Sequence, residues 1–370
     1  MSQSDMVRCV EMSVPQTAQP LSKNLAAAFE KQAQACRKLG SPFTADICEA
    51  LAAYGMPDLP LRKTLEAWPG DPTANGNSLP LRTCAALHEL VLSGSDPALA
   101  AVYPPAPGRI DTEMLHSVVA KALIQHEPFI HRRLNSAPQT NEIRRAAAIY
   151  AALLHICARY EAPLILSEIG ASAGLNLQLD QFRYRLGDLQ CGLSASTVEL
   201  NPSWHGPQLQ PANVTVVERR GCDLAPFDLS KEQQRNRLLS YIWADQDDRL
   251  KRTHAALELA QQRPVEIDQS NAPNWLEQRL TQTPSGHGHV IFHTIAWQYL
   301  DREDQKRATA IIERAGARST SDTPLFLIGM EADGESPGAS LQLREWPAGG
   351  EVELARVDFH GRWLAWNVRQ

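Results

Sequence analysis

The spacing of apolar residues divides this chain into a helical first part and a second part in which strands alternate with helices. In residues 21–160, apolar side chains recur every three or four positions, as on helices with one buried face. From residue 163 onward, short apolar runs alternate with helical stretches, which is typical of a parallel sheet covered by helices. Three glycines stand where helices of the first part would end: Gly40, Gly55 and Gly94.

This pattern predicts three segments. Residues 1–20 are polar and are expected to form a flexible N-terminus. Residues 21–145 are expected to form a helical domain, and residues 146–370 an α/β domain. Within the second domain, residues 182–186 and 196–200 alternate in polarity around a Gly187-Asp188 turn, which predicts an inserted β-hairpin near 182–210.

Five short apolar runs in the second domain have the length and composition of buried parallel strands. They cover residues 164–166, 214–219, 264–268, 289–294 and 324–330. The last part of the chain, residues 341–366, alternates in polarity around Gly349-Gly350, which predicts an antiparallel hairpin to which a third segment can be added. The predicted fold class is therefore α/β, with N-terminal helices and a C-terminal antiparallel hairpin.

Composition narrows the class of protein. The net charge is −6 and no long basic run occurs, so no nucleic-acid partner is expected. The 7 cysteines are scattered without a CxxC pair, which favours reduced thiols over disulfides or zinc. His287 and His289 have no third ligand nearby in sequence, so no metal is expected. Neither a signal segment nor a bilayer-spanning stretch is present, so we expect a cytoplasmic protein without membrane contact.

The most informative stretch follows the first predicted strand. It consists of Glu168 and a loop of small residues, Gly170-Ala171-Ser172-Ala173-Gly174, and Leu175 and the next residues suggest that a helix follows. Such a turn allows close approach of the backbone to a ligand and exposes backbone N–H groups at the helix start. The loop does not match the GxGxxG pattern of dinucleotide folds. It does match GxSxG, so a serine hydrolase with Ser172 as nucleophile is an alternative. Glu331 and His360 would be the acid and the histidine of its catalytic triad, and they match the expected order along the chain only loosely.

The same loop resembles the first motif of the Rossmann-like S-adenosylmethionine methyltransferases, with Ser172 in place of the central glycine. The resemblance implies S-adenosylmethionine as cofactor and a Rossmann-like, methyltransferase-type second domain. In this family an acid near the end of the second strand commonly holds the ribose, and an acid after the third strand lies near the adenine. The implied cofactor-binding residues are Glu168, Gly170, Ser172, Gly174, Asp223 and Asp268.

The chain also resembles a bacterial family, the domain of unknown function 2332, over roughly residues 25–366. This resemblance rests mainly on residues 139–145, 168–177 and 221–228, and continues through residues 243–249, 292–293 and 360–361. It implies the same two-part architecture and no particular substrate.

The candidate chemistry lies beyond the carboxyl ends of the strands, where α/β folds bind ligands. His293 and Glu331 end the fourth and fifth predicted strands and are the candidate catalytic residues, His293 as a proton acceptor. The candidate substrate contacts are Gln139, Asn141, Glu142, Arg145 and Asn176. Residues 139–145 can also be interpreted as a helix start capped by Thr140 or Asn141.

The sequence thus predicts a methyltransferase. Methyltransferases that act on amino groups of nucleic acids carry a characteristic tetrapeptide after the fourth strand, and this chain has Thr294-Ile295-Ala296-Trp297 there instead. A small molecule or a protein side chain is therefore the expected substrate. Two alternatives remain: the serine hydrolase, and a non-catalytic binding protein on a degenerate methyltransferase fold. The sequence does not fix an oligomeric state.

Overall fold

The computed structural model describes residues 18–105 and 110–369. Of the predicted flexible segment 1–20, only residues 18–20 belong to this described part. The α-helices are α1 (Lys23–Lys38), α2 (Pro42–Tyr54), α3 (Pro60–Glu66), α4 (Leu79–Leu92), α5 (Pro97–Ala100), α6 (Thr112–Gln125), α7 (Glu127–Leu134), α8 (Ala146–Cys157), α9 (Glu232–Ser240), α10 (Asp247–Gln262), α11 (Ala272–Arg279) and α12 (Arg302–Gly316). Short 3₁₀-helices cover Ile143–Arg145, Asn176–Gln181 and Trp297–Tyr299.

The strands fall into one large sheet and two small ones. They are β1 (Ala18–Gln19), β2 (Met56–Pro57), β3 (Leu164–Ile169), β4 (Arg183–Leu186), β5 (Leu189–Gly192), β6 (Glu199–Leu200), β7 (Ser203–His205), β8 (Val216–Asp223), β9 (Glu266–Gln269), β10 (Gly288–Thr294), β11 (Leu325–Glu331), β12 (Ala339–Trp346), β13 (Glu351–Val357) and β14 (Trp363–Trp366).

The chain divides into two compact units, and the first comprises residues 1–140 and 232–250. In its described part, helices α1 to α7 and α9 surround one apolar core that includes Phe29, Leu51 and Leu87. Strands β1 and β2 form a two-residue antiparallel pair at its edge. The N-terminal helices expected from the apolar spacing are therefore present.

The second unit comprises residues 141–231 and 251–370 and contains a nine-stranded mixed sheet. The strand order is β7-β14-β13-β12-β11-β10-β3-β8-β9. Strands β9, β8, β3, β10 and β11 are parallel to one another, whereas β12, β13 and β14 follow as antiparallel neighbours. The predicted α/β class, with N-terminal helices and C-terminal antiparallel strands, is confirmed. The C-terminal part has three antiparallel strands, which are the predicted hairpin and the third segment.

The order of the parallel strands reverses between β3 and β10, which are neighbours in the sheet. From β3 the chain proceeds to β8 and β9 on one side, and then returns to β10 and β11 on the other. Both β3 and β10 are buried over their whole lengths. Helices α11 and α12 pack on the sheet through Trp275, Leu276 and Ile311. A reversal of this kind leaves a crevice at the carboxyl ends of the two central strands.

The loop after β3 does not open an α-helix, contrary to the prediction. Residues Asn176–Gln181 form a 3₁₀-helix, and β4 begins almost at once. Leu175, Leu177 and Leu179 recur at a spacing of two and are all fully buried. An amphipathic α-helix needs a spacing of three or four, so this pattern does not suit one.

The second parallel strand is longer than predicted. It continues through Gly221 to Asp223, which is its last residue instead of a loop residue. A Cβ atom on Gly221 would lie 2.5 Å from Cβ of Ala171, so the strand passes directly beneath the small-residue loop.

The predicted inserted hairpin has a different partner strand. The Gly187-Asp188 turn is present, but it joins β4 to β5. Residues 199–200 pair with β4 in the parallel direction instead, which completes a three-stranded sheet in the order β5-β4-β6. No helix within residues 18–105 and 110–369 is both long and apolar enough to cross a bilayer.

Candidate functional site

The carboxyl ends of β3, β8, β10 and β11 bring together several of the predicted site residues. Glu168 lies in β3, beside Phe292 of β10 on one side and Gly221 of β8 on the other. His293 lies one residue further along β10 and pairs with Gly329 of β11. These residues share one edge because parallel strands end in the same direction.

Glu168 is the most deeply enclosed acid at this edge, with 1% of its surface exposed. Its Oε2 atom has no hydrogen-bond partner among the described residues. Burial raises the pKa of Glu168 well above its ordinary value, the charge of Asp223 raises the pKa further, and Arg145 opposes the shift. A buried carboxyl oxygen without a hydrogen-bond partner is rare in folded proteins.

The backbone donors of the small-residue loop are mostly used within the protein. Gly170 N–H and Ala171 N–H donate to the carbonyl of Cys222 at 2.9 and 3.0 Å. Ser172 N–H donates to Oδ2 of Asp223 at 2.9 Å. Leu175 N–H donates to Oδ1 of Asn141 at 2.9 Å. The expected row of free N–H groups is therefore wrong for these positions, and the loop offers little to a phosphate.

The glycines of this loop serve close packing inside the unit. Gly170 has φ 70°, and a Cβ atom there would lie 2.6 Å from Cβ of Ala296. Gly174 has φ 69°, and a Cβ atom there would lie 2.7 Å from Cδ1 of Ile267. Ser172 adopts φ 57°, in the left-handed region that favours glycine. Its Oγ atom is buried without a hydrogen-bond partner in the described part of the chain.

The two predicted acids on β8 and β9 are in different situations. Asp223 accepts from Ser172 N–H through Oδ2 and from Ala225 N–H through Oδ1, at 2.9 Å each. Asp268 pairs with Arg220 at 2.7 Å and also accepts the indole N–H of Trp275 at 2.7 Å. The bond from Arg220 lowers the pKa of Asp268. Asp223 thus contacts the loop directly, whereas Asp268 is engaged in an ion pair.

His293 and Glu331 form a hydrogen-bonded pair at the same edge. Nδ1 of His293 lies 2.8 Å from Oε1 of Glu331, and this oxygen also accepts Ala296 N–H at 2.8 Å and Trp297 N–H at 3.0 Å. Burial would raise the pKa of Glu331, but the bonds from His293, Trp297 and Ala296 outweigh it and keep this pKa below its ordinary value. The imidazole stacks on the ring of Trp297, with centroids 5.0 Å apart.

The segment predicted to contact substrate is divided between the units. Gln139 belongs to the first unit, whereas Asn141, Glu142 and Arg145 belong to the second. Glu142 caps the first turn through Arg144 N–H at 3.2 Å, so the expectation of a Thr140 or Asn141 cap is wrong. Asn141 reaches the loop instead.

Arg145 fastens two loops at the carboxyl edge. Its Nε donates to the carbonyl of Phe359 at 2.9 Å, and its Nη1 donates to the carbonyl of Thr294 at 3.1 Å. Phe359 precedes β14, and Thr294 is the last residue of β10. Asn176 is buried at the start of its 3₁₀-helix, and its Oδ1 lacks a hydrogen-bond partner in residues 18–105 and 110–369.

His287 and His289, which were considered as a metal-binding pair, have different hydrogen-bond partners. His289 is buried, with Nε2 at 2.8 Å from Oγ of Ser167, and burial lowers its pKa to about 3. His287 contacts the carbonyl of Ser285 through Nδ1. Across the described residues, no three His, Cys, Asp or Glu side chains are arranged to hold a metal.

With this geometry in hand, the chain can be compared with known proteins. A family model described as "Uncharacterized protein conserved in bacteria (DUF2332)" matches residues 26–366. The chain belongs to the DUF2332 family. The resemblance to the DUF2332 family is thereby confirmed, whereas the comparisons give no support to the resemblance to methyltransferases. No curated protein matches the chain, and no solved structure does.

Sequence reasoning missed three contributors to the site of this DUF2332 protein. Trp297 stacks on His293, the Phe359 carbonyl accepts from Arg145, and Gly329 lies beneath the imidazole, where a Cβ atom would be 3.0 Å from Cε1. The position of Trp297, three residues after the end of a buried strand, could have revealed its contact with His293. The other two depend on pairing between distant segments, which one sequence does not reveal.

Proposed function

We propose that this chain is an S-adenosylmethionine-dependent methyltransferase with a Rossmann-like second domain, acting on a small molecule or a protein side chain. The parallel order β9-β8-β3-β10-β11, followed by the antiparallel strand β12, supports the proposal. So does the position of the small-residue loop, which follows β3 directly at the reversal of strand order. Fold alone does not specify chemistry, so the argument rests on the residues at this edge.

One observation carries the proposal: the enclosed carboxyl of Glu168 with an unused Oε2 atom at the strand reversal. Leaving such an oxygen unpaired costs on the order of 1–3 kcal/mol, so it is expected to have a function. S-adenosylmethionine carries an ammonium and a sulfonium, and a carboxylate suits either cation. Ionisation of Glu168 becomes favourable when a cation arrives, since burial and Asp223 oppose it in the free protein.

The neighbouring residues fit the remainder of such a cofactor in part. Asp223 accepts Ser172 N–H through Oδ2 and Ala225 N–H through Oδ1, and carboxylate oxygens are also the usual acceptors for ribose hydroxyls. Asp268 is less suitable for adenine because it is engaged with Arg220 and Trp275. The glycines at 170 and 174 make room for Ala296 and Ile267 of the protein, so their role is to hold the loop in place.

In this proposal the cofactor supplies an activated methyl group, and the protein aligns the acceptor and removes its proton. Glu331 fixes the imidazole of His293 through Nδ1, so Nε2 is the nitrogen that can accept a proton. Arg145 holds the loop containing Phe359 against the end of β10.

The serine hydrolase remains a second candidate because of Ser172. The positive φ of this residue, 57°, is a feature of a strained nucleophile turn. Two observations weigh against it. No base hydrogen-bonds Oγ among the described residues, and a 3₁₀-helix follows the loop in place of an α-helix.

The test is a calorimetric titration with S-adenosylmethionine and with S-adenosylhomocysteine, in parallel with labelling by a fluorophosphonate. We expect both ligands to bind, and Glu168→Ala to weaken binding about tenfold or more, the equivalent of about 1.4 kcal/mol. Glu313→Ala is the control, because it removes a carboxylate of α12 that pairs with Arg344.

Three outcomes contradict or limit the proposal. Labelling at Ser172 would favour the hydrolase. If neither S-adenosylmethionine nor S-adenosylhomocysteine binds, the proposed methyltransferase function is wrong. Binding without methyl transfer to any acceptor would favour a non-catalytic binding protein.

A further inference from the structure

One positive charge inside the first unit has no counter-charge. Arg82 lies on α4, and only 9% of its surface is exposed. Within residues 18–105 and 110–369, no carboxylate forms an ion pair with its guanidinium, and its hydrogen bonds go to two backbone carbonyls. A guanidinium keeps its charge in a protein, and burial of an unpaired charge is costly. Arg82 therefore requires a negative charge from another source.

Three contacts fix the side chain of Arg82. Nε donates to the carbonyl of Asn77 and Nη1 donates to the carbonyl of Leu134, at 2.6 Å each. The guanidinium lies over the indole of Trp68, 5.4 Å from the ring centroid. Carbonyls and aromatic rings supply only partial negative charge, so they do not neutralise the guanidinium. Of its five N–H donors, the two bonds leave three, including both of Nη2, without a partner in the described chain.

A second arginine adds to the positive charge. Arg133 is 8% exposed and pairs with Glu89, and it directly precedes Leu134, whose carbonyl Arg82 binds. Positions 82 and 89 are two turns apart on α4, about 10 Å along the helix axis, so Glu89 serves Arg133 alone. Burial lowers the pKa of Arg82 and the charge of Arg133 lowers it as well, whereas Tyr241 opposes the shift. The two arginines thus have one carboxylate between them.

The free hydrogen-bond donors of this region lie around Tyr241. Arg133 donates from Nη1 to the hydroxyl of Tyr241 at 3.3 Å and from Nη2 to Oγ of Ser240 at 3.5 Å, and both bonds are long. Its guanidinium lies 5.3 Å from the centroid of the Tyr241 ring. Because the hydroxyl oxygen accepts from Arg133, its own hydrogen can be donated elsewhere. Arg82 and Tyr241 therefore provide donors beside an excess positive charge.

We propose that Arg82, Arg133 and Tyr241 form a binding site for an oxyanion, the carboxylate or phosphate group of a small molecule. Such a group carries the missing negative charge and several acceptor oxygens, which suit guanidinium and hydroxyl donors. A cation would be repelled by the two arginines, and a neutral ligand would leave the excess charge unpaired. All three residues belong to the first unit, so the site does not depend on the methyltransferase function proposed for the second.

The experiment is a calorimetric titration of the full chain with sodium phosphate and with sodium acetate, with sodium chloride as the reference at equal ionic strength. We expect one equivalent of phosphate or of acetate to bind, and chloride not to bind. Binding of phosphate alone would identify a phosphate group as the ligand, and binding of acetate alone would identify a carboxylate. The anion that binds should also raise the midpoint of thermal unfolding with its concentration.

Two arginine variants locate the site. Arg82→Gln removes the unpaired charge and should weaken binding of the anion about tenfold or more. Arg37→Gln is the matched control, because Arg37 belongs to the same unit but is paired with Asp46 and Glu49. It should leave the affinity for the anion unchanged.

Tyr241→Phe tests the site with little disturbance of the fold. It keeps the ring beside Arg133 and removes only the hydroxyl, so it should weaken binding about threefold or more. Tyr54→Phe removes a hydroxyl from a more exposed ring of the first unit and should leave binding unchanged. If Arg82→Gln does not fold, the comparison of these two tyrosine variants decides.

Three results would overturn the oxyanion site. The first is that neither phosphate nor acetate binds. The second is that chloride has the same effect as they do at equal ionic strength, which would indicate screening of surface charges. The third is unchanged affinity in Arg82→Gln or, where that variant does not fold, in Tyr241→Phe, which would place the bound anion elsewhere. None of these results bears on binding of S-adenosylmethionine, which has its own titration.

Discussion

The carboxylate oxygen Oε1 of Glu331 lies 2.8 Å from Nδ1 of His293 and accepts two backbone N–H groups of the turn after β10 as well. One oxygen therefore orients the imidazole and shapes the turn that carries Trp297. Ile295 in this turn adopts φ 51°, which is strained for a β-branched residue and depends on such support. Any change at Glu331 is expected to affect both stability and the histidine.

Glu331→Gln should destabilise the protein by about 1–3 kcal/mol at neutral pH, because charged hydrogen bonds are replaced by neutral ones. The pKa of Glu331 is lower in the folded chain than its ordinary value of about 4.3. Its contribution is thus complete above that pH and is lost as pH falls through the folded-state pKa. Denaturant unfolding from pH 7 to pH 3 should show the two proteins converging at acid pH. A constant difference across this range would contradict the assignment.

Glu168→Gln should behave in the opposite way. The pKa of Glu168 is raised in the folded chain, so the folded state holds the proton more tightly than the unfolded state. Wild-type stability then falls as pH rises from about 4.3 toward the folded-state pKa, by up to about 1.4 kcal/mol per pH unit. The variant lacks this loss and should be the more stable protein at pH 8. Equal pH dependence of the two unfolding curves would show that Glu168 is not protonated in the folded state.

Gly329→Ala should disturb His293 without disrupting the sheet. The added Cβ atom would lie 3.0 Å from Cε1 of the imidazole, so the ring must shift by a few tenths of an ångström. The histidine ring resonances in an NMR spectrum should move, and methyl transfer should slow. Gly288→Ala is the matched control, since its Cβ atom would lie 3.0 Å from Cδ2 of Leu164 in the same sheet. Equal spectral changes at His293 in both variants would argue against direct contact.

Ser172→Gly should stabilise the protein by about 1 kcal/mol. Glycine tolerates φ 57°, whereas other residues lose roughly 1–2 kcal/mol in the left-handed region, and part of the gain is offset by the flexibility of glycine. Ser172→Ala retains the strained backbone and should give little of this gain. Thermal and denaturant unfolding measure the difference. In the methyltransferase both variants should retain cofactor binding, whereas a hydrolase would lose its activity in both.

The sequence predicted that Glu168, His293 and Glu331 lie at the ends of parallel strands, but little of how they bond. Each follows a short apolar run, and parallel strands end at one edge, so their position at that edge followed from periodicity. Asp268 lies beside Arg220 of the neighbouring strand, 48 positions away, and its ion pair depends on strand register. A single sequence does not contain that register.

The small-residue loop shows the same limit. Its string of residues fits a cofactor turn and a nucleophile turn equally, and the choice between them depends on what surrounds it. Asn141 and Asp223, from distant segments, occupy the donors of Leu175 and Ser172. These contacts were not predicted, because a hydrogen bond between a backbone N–H and a distant side chain does not appear in the spacing of apolar residues.

The outermost strand of the large sheet has a consequence for how the chain reaches its native state. Among the strands of residues 18–105 and 110–369, β7 pairs with β14 alone, and Ser203 lies beside Trp363, 160 positions later. On the ribosome β7 therefore has no partner until almost the whole chain has been made. Such distant pairing slows folding and leaves an unpaired backbone exposed meanwhile. Nascent chains halted before residue 363 should accordingly be more prone to aggregation or chaperone capture than chains released in full.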